Sequence, residues 1–185
     1  MDIRKIQSAE VADAARDFIL NKKHGIVYCV HDKKSVCITP TSSVDETVCV
    51  ERGYEVIEME RNGGTFILSR GDIGAFYVGR LGNKFIKNFA FYLIEKLKEN
   101  GLNACFDGND VLVDGYKVCG FASSIHFSEQ FSVIHVGINT NLDDIKAICT
   151  KPMVKVPKGL GEYGITAEEI EKWFLDYCEE HKNYI

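Results

Sequence analysis

An α+β fold, in which helices cover a mixed and mostly antiparallel sheet, is predicted by three features of the sequence. Short apolar runs separated by glycine-containing turns recur along the chain, and such runs are typical of strands joined in hairpins. Apolar residues repeat every three to four positions in other stretches, which indicates amphipathic helices. Hydrophobic residues make up 45% of the 185 residues, enough for these elements to share a core.

The first third of the chain is predicted to contain a helix, three strands and a short helical turn. Ser8 is a suitable cap for a helix that runs to about Asn21. A second helical turn is expected from Val44 to Arg52, closed by Gly53. Apolar runs predict strands over residues 25–30, 35–38 and 54–59.

The middle of the chain carries the clearest helix and hairpin signals. Asn83 is in position to cap a helix that ends at Asn100-Gly101. Its apolar stripe predicts a face buried in the core, formed by Phe85, Phe89, Leu93 and Leu97. Asp114-Gly115 is a type I′ hairpin dipeptide. Strands are expected over residues 65–68, 73–78, 111–113, 116–121 and 131–139.

The C-terminal part is predicted to contain two helices separated by a long loop. A short helix is expected over residues 143–149. The loop over residues 151–164 is long enough to act as a lid or a docking surface. Thr166 and Glu169 form a capping box in front of a final amphipathic helix.

Composition and charge exclude several classes of protein. The net charge of -5 argues against general nucleic-acid binding, which usually needs a basic face. No apolar run approaches the roughly 18 residues of a membrane span, and the N-terminus lacks the apolar segment of a signal peptide. The seven cysteines form no CxxC pair, so we expect free thiols in a cytoplasmic protein. Residues 1–185 are expected to form a single domain.

One cluster of cysteine and histidine residues contains side chains that can bind zinc. His24, Cys29, His31 and Cys37 lie close together in the sequence. They fall on strand-like segments without the tight spacing that zinc ligands usually show. No metal site is therefore assigned to them.

The hairpin over residues 108–124 is the best candidate for a binding site. Lys117 lies on a strand, and Gly120 and Ala122 follow it at alternate positions with little or no side chain. A ligand can approach the backbone closely at such positions, within reach of the lysine. Asn109-Asp110 at the mouth of the hairpin could hold a nucleotide or a metal-bound phosphate. The alternative is an ordinary surface hairpin with a solvated lysine.

A second candidate is the loop that contains Arg61, Gly63 and Gly64. Exposed backbone N–H groups and a guanidinium both favour negative charge, so this loop suits a carboxylate or a phosphate. Glycine turns between short strands are also common without any ligand.

Three segments together resemble the biotin/lipoate A/B protein ligase family. They are SSVDETVCVERGYEVIEMERNGGTFI, NDVLVDGYKVCGFASS and HVGINTNLDDI, and the second is the most specific. The resemblance extends from about Ser35 to the C-terminal helix. The family includes lipoate-protein ligases, octanoyltransferases and the catalytic domain of biotin ligases.

The resemblance implies an enzyme that binds lipoate or octanoate and Mg-ATP, forms an acyl-adenylate, and transfers the acyl group to a lysine of a lipoyl-type acceptor domain. It makes Lys117 the essential lysine, and it places Asn109 and Asp110 beside the nucleotide or Mg²⁺. The residues that would border the acyl chain and the adenylate phosphate are Arg61, Gly63, Gly64, Gly120 and Ala122.

The chain also departs from the family pattern. Members usually carry a histidine or a histidine-aspartate pair after the glycine loop, and this chain has Leu68, Ser69 and Arg70 there, with no histidine nearby in sequence. Glu60-Arg61 replaces the usual pair of arginines.

Two alternative functions follow from these departures. One is an octanoyltransferase that uses a cysteine such as Cys149 to form an acyl-enzyme. The other is a family member that binds an acyl group or a lipoyl domain without catalysis.

Overall fold

The computed structural model describes residues 3–21, 24–39, 42–58, 65–79, 82–126 and 129–182. The strands are β1 (Ile3–Lys5), β2 (Gly25–Val30), β3 (Ser35–Ile38), β4 (Glu55–Glu58), β5 (Phe66–Leu68), β6 (Ile73–Val78), β7 (Ala104–Asp107), β8 (Asp110–Val113), β9 (Tyr116–His126) and β10 (Glu129–Val136). The helices are α1 (Val11–Leu20), α2 (Glu46–Glu51), α3 (Gly82–Glu99), α4 (Leu142–Ile148) and α5 (Ala167–His181), with 3-10 helices at Ser8–Glu10 and Leu160–Tyr163. Within these described ranges, no helix is both long enough and apolar enough to cross a membrane.

The strands form two sheets. The larger sheet has seven strands in the order β1-β2-β6-β10-β9-β8-β7, and every pair is antiparallel except β1 with β2. The smaller sheet has the order β4-β3-β5, in which β3 is parallel to β4 and antiparallel to β5. The predicted α+β fold with a mixed, mostly antiparallel sheet is therefore confirmed.

Helices α3 and α5 pack on one face of the larger sheet and form the main core with it. The predicted stripe of α3 is almost completely buried there, at Phe85, Phe89, Leu93 and Leu97. Tyr177 of α5 packs its ring against Phe85 and Phe89, and its hydroxyl donates a hydrogen bond of 3.0 Å to the carbonyl of Phe85. This hydrogen bond satisfies the buried phenol, which would otherwise cost stability.

The opposite face of the larger sheet is covered by a smaller apolar cluster. This cluster joins Ile6 and Ala14 to residues of β2 and β6, namely Val27, Cys29, Phe76 and Val78. It covers the half of the face that is nearest to β1. The other half of the same face is formed by β8, β9 and the end of β10, and it carries the candidate site.

A buried carboxylate connects the smaller sheet to α4. Asp144 accepts hydrogen bonds from Lys34, Arg52 and Tyr54, at 2.8, 3.3 and 3.2 Å. Burial opposes ionisation of Asp144, but its hydrogen bond with Lys34 and its other polar partners hold its pKa below the ordinary value. This network fixes α4 beside the strand that precedes the glycine loop.

Several predicted boundaries need correction. The first helical segment is capped by Gln7 rather than Ser8, because Gln7 and Glu10 form a reciprocal capping box. The Ser8 hydroxyl instead accepts a hydrogen bond of 3.1 Å from the backbone of Asp32. Helix α3 begins at Gly82, so Asn83 lies inside its first turn rather than at its cap. Strand β10 ends at Val136, and the predicted loop over residues 151–164 contains a 3-10 helix.

Candidate active site

The hairpin between β8 and β9 has the turn that its sequence predicts. Asp114 and Gly115 have φ values of 51° and 82°, and a type I′ turn requires positive φ at both positions. The strands pair from Val113 and Tyr116 onward, with an irregularity in the register between Val111 and Leu112.

This irregularity decides the direction of the Lys117 side chain. Leu112 pairs with Lys117 and Asp110 pairs with Gly120, so β9 carries one residue more than β8 over this stretch. An extra residue in one strand is a β-bulge, and it reverses the alternation of side chains. Lys117 therefore shares a face with Asp110 and Gly120, whereas Cys119 points into the core beneath the helices.

Lys117 forms an ion pair that lies directly over a glycine. Its Nζ is 2.8 Å from Oδ1 of Asp110. A Cβ atom on Gly120 would come within 3.0 Å of both Cε and Nζ of Lys117 and within 3.1 Å of the Asp110 carboxylate. The glycine thus provides the space in which the lysine lies across the sheet. The Lys117 side chain is 38% exposed, so a ligand can also reach it.

A second lysine, Lys155, binds the other oxygen of the same carboxylate. Its Nζ lies 2.8 Å from Oδ2 of Asp110, 3.0 Å from Oδ2 of Asp107 and 2.7 Å from the backbone carbonyl of Asp107. Sequence reasoning missed Lys155 and Asp107 because they meet only through tertiary contacts. Lys155 lies in the segment that was predicted to be a lid or docking loop.

That segment is fixed to β9 by backbone hydrogen bonds on both sides of Lys117. The N–H of Lys117 donates to the carbonyl of Val156, and the N–H of Lys158 donates to the carbonyl of Lys117, both at 2.9 Å. The segment therefore continues the sheet at the point where β10 has ended. In this arrangement the N–H and the C=O of Lys117 are both occupied, and its side chain is left available to a ligand.

The two lysines keep Asp110 ionised. Burial favours the neutral acid, because only 17% of its side chain is exposed. Hydrogen bonds and charge attraction from Lys117 and Lys155 outweigh this effect and hold the pKa of Asp110 below its ordinary value. A fixed negative charge at this position orients the Lys117 ammonium.

A second polar cluster lies on the same face, one strand away. His135 of β10 pairs in register with Gly120 of β9 on one side and with Gly74 of β6 on the other. Paired residues point to the same face of a sheet, so the imidazole lies between two positions without side chains. The ring of Phe66 from the smaller sheet meets the imidazole edge to face, with 6.5 Å between ring centroids.

Asp72 holds the imidazole of His135 in place. One carboxylate oxygen lies 3.1 Å from Nε2 of His135 and accepts a hydrogen bond of 2.7 Å from the N–H of Ser69. The other oxygen accepts hydrogen bonds from the N–H groups of Ile138 and Asn139, at 2.7 and 3.1 Å. Asp72 is completely buried, yet these partners hold its pKa below the ordinary value against the effect of burial.

A third member of this cluster, His31, is buried and electrically neutral. Burial, together with a smaller effect of the nearby His135, lowers its pKa to about 4. Its Nε2 would lie 3.1 Å from a Cβ atom placed on Gly74, and its Nδ1 has no hydrogen-bond partner among the described residues. The sequence shows no histidine near Asp72, but folding brings two beside it from distant parts of the chain.

The remaining predicted residues lie in different surroundings. The side chain of Asn109 is exposed, and its backbone carbonyl accepts a hydrogen bond of 3.0 Å from Phe121. Ala122 lies two residues beyond Gly120 and pairs with Val133, so it shares the face of the site. Cys149 ends α4 and forms a β-bridge with Val44, and burial raises the pKa of its thiol.

Arg61, Gly63 and Gly64 lie outside the described residues.

Whether a metal ion fits the site depends on the carboxylates of Asp107 and Asp110. Within the described ranges, no group of three or more His, Cys, Asp or Glu side chains is arranged to hold a metal ion. A magnesium ion bound with a nucleotide usually takes only one or two protein carboxylates, and phosphate oxygens complete its shell. Asp107 and Asp110 fit that lesser requirement, because both carboxylates already bind the same ammonium group.

Known structures share this fold. An archaeal bi-partite lipoate protein ligase from Thermoplasma acidophilum superposes with a TM-score of 0.76 at 14% identity, covering 98% of this chain and 83% of its own. A lipoate-protein ligase A bound with ATP gives 0.75 at 15% identity, covering 99% and 86%. LipL1 of P. falciparum in complex with lipoate gives 0.76 at 15% identity, covering 99% and 60%.

Sequence comparison gives the family. No curated protein matches the chain. Residues 21–172 match the family model described as the lipoyl protein ligase A/B catalytic domain, which is most of the chain. Together with the fold, this match shows that the chain belongs to the lipoyl protein ligase A/B catalytic-domain family.

Proposed function

We propose that this protein is a lipoate-protein ligase that attaches lipoate or octanoate to a lysine of a lipoyl-type acceptor domain through an acyl-adenylate formed from ATP. The observation that carries the proposal is the ammonium of Lys117, which is held by Asp110 over the bare backbone of Gly120. Lipoate and ATP are bound by proteins with the same fold, which supports this choice of substrates.

In the first step, a carboxylate oxygen of the acyl substrate attacks the α-phosphorus of ATP, and pyrophosphate leaves. Negative charge grows on the α-phosphate and on the leaving group in the transition state. A positive charge that is already positioned stabilises this charge without reorganisation. Lys117 suits the task because its ammonium is compact, is oriented by Asp110 and is partly exposed.

Lys155 and Asp107 would complete the phosphate end of the site. Asp107 and Asp110 would hold Mg²⁺ together with the nucleotide phosphates, and the ion would supply further charge neutralisation. Occupation of these carboxylates would release Lys155, whose ammonium then becomes available to the phosphates. Arg61, Gly63 and Gly64 are proposed to border the same region.

The acyl chain would lie on the floor formed by Gly120 and Ala122. These positions contribute little or no side chain, so a flat alkyl chain can contact the backbone there. Asn109, whose side chain is exposed beside Asp110, is proposed to contact the nucleotide.

In the second step, the amine of the acceptor lysine attacks the acyl carbonyl carbon, and AMP leaves. Lys117 would neutralise the charge on the carbonyl oxygen and on the departing phosphate. The acceptor is proposed to be a lipoyl domain, because the archaeal ligase of the same fold is described together with its E2 lipoyl domain.

The test is intact-mass analysis of a lipoyl domain after incubation with this protein, lipoate or octanoate, and Mg-ATP. We expect the acceptor to gain the mass of one acyl group only when ATP is present. Lys117→Ala should abolish the gain. Lys98→Ala is the matched control, because it also removes a lysine from an ion pair, but on helix α3, which covers the opposite face of the larger sheet.

Two further arms separate the alternatives. Acylation from an octanoyl-carrier protein without ATP, lost in Cys149→Ala, would identify an octanoyltransferase instead. Binding of lipoate without acylation from any donor would identify a non-catalytic member of the family.

A further inference from the structure

The proposed transfer step needs a group that removes a proton. An acceptor lysine carries an ammonium with a pKa of about 10.4, so it is mostly protonated at neutral pH. Only the neutral amine has the lone pair that attacks the acyl carbonyl. The need for such a group rests on the proposed function.

The charged groups at the centre of the site are unsuited to the task. Lys117 already donates to Asp110, so its nitrogen is a cation rather than a base. Asp110 is bound by two ammonium groups, and its pKa is held below the ordinary value. A carboxylate in that position is a poor acceptor for a proton.

His135 is placed to accept the proton. It lies directly across from Gly120, the residue over which the Lys117 ammonium rests, and adjacent antiparallel strands are roughly 5 Å apart. Its Nε2 faces Asp72, so in the neutral ring Nε2 carries the hydrogen and Nδ1 keeps the lone pair. Its side chain is 18% exposed, so part of the ring is accessible from outside the protein.

A buried carboxylate lies against the ring of His135. Asp72 stays ionised despite complete burial, so it provides a fixed counter-charge for the imidazolium. His31 beside it is neutral, so it does not compete for that counter-charge. The uncharged ring of Phe66 also packs against the imidazole, and Gly120 faces it from the neighbouring strand, with the Lys117 ammonium above that glycine.

We infer that His135 is the general base of the transfer step, and that Asp72 is the positioning residue that orients it. The ammonium proton of the acceptor lysine moves to Nδ1 of His135. The resulting amine attacks the acyl carbonyl carbon, the bond between that carbon and the phosphate oxygen breaks, and AMP leaves with the bonding electrons. The nitrogen loses its second proton to the departing phosphate, which leaves a neutral amide. The imidazolium then returns the proton to water.

The test supplies chemically prepared lipoyl-adenylate to the protein and compares two acceptors. One is a lipoyl domain, whose lysine must lose a proton. The other is hydroxylamine, which is mostly neutral near pH 7 and needs no base. We expect His135→Gln to slow transfer to the domain by a factor on the order of 100 to 10,000, the usual contribution of a general base. Trapping by hydroxylamine should change by less than about threefold.

The pH dependence gives a readout that a purely structural role would not produce. The fraction of neutral acceptor lysine rises tenfold for each pH unit below its pKa. The defect of His135→Gln should therefore shrink as the pH is raised. Asp72→Asn should show a smaller defect of the same kind. His24→Gln, a histidine outside the site, is the control for the substitution itself.

Several outcomes would overturn the inference. They are unchanged transfer in His135→Gln, an equal loss with both acceptors, or a wild-type protein that does not transfer from the supplied adenylate at all. Failure of the proposed function appears separately, in a wild-type protein that makes no hydroxamate from lipoate and Mg-ATP. The supplied adenylate still tests His135 in that case, because it bypasses the first step. Thermal unfolding of each variant checks that it is folded.

Discussion

At Gly120, the absence of a side chain decides where Lys117 can lie. The lysine reaches Asp110 by passing over this residue, and the closest approach is already tight for a single added carbon. Its backbone φ does not lie in the left-handed region, so other residues can adopt the same backbone. The glycine is therefore required by the space above the sheet rather than by backbone geometry.

Substitution of Gly120 should consequently impair activity while leaving the fold intact. We expect Gly120→Ala to lower the acylation rate and Gly120→Val to lower it by at least about tenfold. Each added carbon pushes the Lys117 ammonium away from its position, and a loss of about 1.4 kcal/mol of transition-state stabilisation lowers a rate tenfold. The rate is measured by acceptor mass gain. Ile125→Ala, an exposed change on the same strand, should keep the wild-type rate. Equal activity in the valine variant would contradict this role of the glycine.

His31 makes a different contribution, to stability. Its pKa in the folded protein is about 4, below the value of 6.5 expected in the unfolded chain. Below pH 6.5 the unfolded chain binds a proton that the folded protein does not, so stability falls as the pH drops from 6.5 toward 4. The loss can reach about 3 kcal/mol, since one pKa unit corresponds to about 1.4 kcal/mol.

Urea unfolding at several pH values tests this prediction. His31→Leu should lose less stability than wild type between pH 6.5 and pH 4, because it has no imidazole to protonate. His24→Leu, at an exposed position, should keep the wild-type dependence. Parallel pH profiles for wild type and His31→Leu would show that another group controls the acid instability.

At the scale of the elements, the start of α5 shows how local sequence sets local structure. Thr166 accepts a hydrogen bond from the N–H of Glu169, and Glu169 accepts one from the N–H of Thr166. This pair satisfies two N–H groups that a helix start would otherwise leave unpaired. The helix it starts supplies Phe174 and Tyr177 to the main core.

Removal of this cap should therefore cost measurable stability. We expect Thr166→Ala to lower the free energy of unfolding by about 1 kcal/mol, the usual effect of losing an N-cap side chain. Thr150→Ala, at an exposed threonine outside any helix, is the control. Denaturant unfolding at neutral pH measures the free energy of unfolding of both variants. An equal decrease in Thr166→Ala and Thr150→Ala would contradict the capping role.

Elements with local signals were predictable from the sequence, and contacts between distant segments were not. The type I′ turn at Asp114-Gly115 and the stripe of α3 follow from short-range patterns, and both are confirmed. The cap at Ser8 was wrong because Gln7 and Glu10 form a competing box nearby. A propensity for capping cannot distinguish between neighbouring candidates.

The site itself was only partly predictable, for the same reason. The local sequence of the hairpin indicated that Lys117, Asp110 and Gly120 belong together. Lys155 is 45 positions from Asp110, and His135 is 63 from Asp72, so no local pattern relates them. The sequence shows no histidine around Leu68, Ser69 and Arg70, which was interpreted as a loss, because no local pattern reveals that β10 brings His135 to the nearby Asp72.

At the scale of the whole molecule, the two faces of the larger sheet differ in what they pack against. Helices α3 and α5 cover one face and provide the main core. On the opposite face, the apolar cluster near β1 covers one half. The ion pair of Lys117 with Asp110 and the hydrogen bond of His135 with Asp72 occupy the other half. The sheet therefore holds both clusters in register, one strand apart, as the proposed two-step transfer would use them.

The measurement that tests this account most directly is lipoate-dependent exchange of labelled pyrophosphate into ATP, which reports adenylate formation without any acceptor protein. We expect exchange in wild type and in Lys98→Ala, and a loss of at least about 100-fold in Lys117→Ala, as for removal of one stabilising group from a transition state. Exchange that persists in a folded Lys117→Ala protein, or no exchange in wild type with either lipoate or octanoate, would contradict the account.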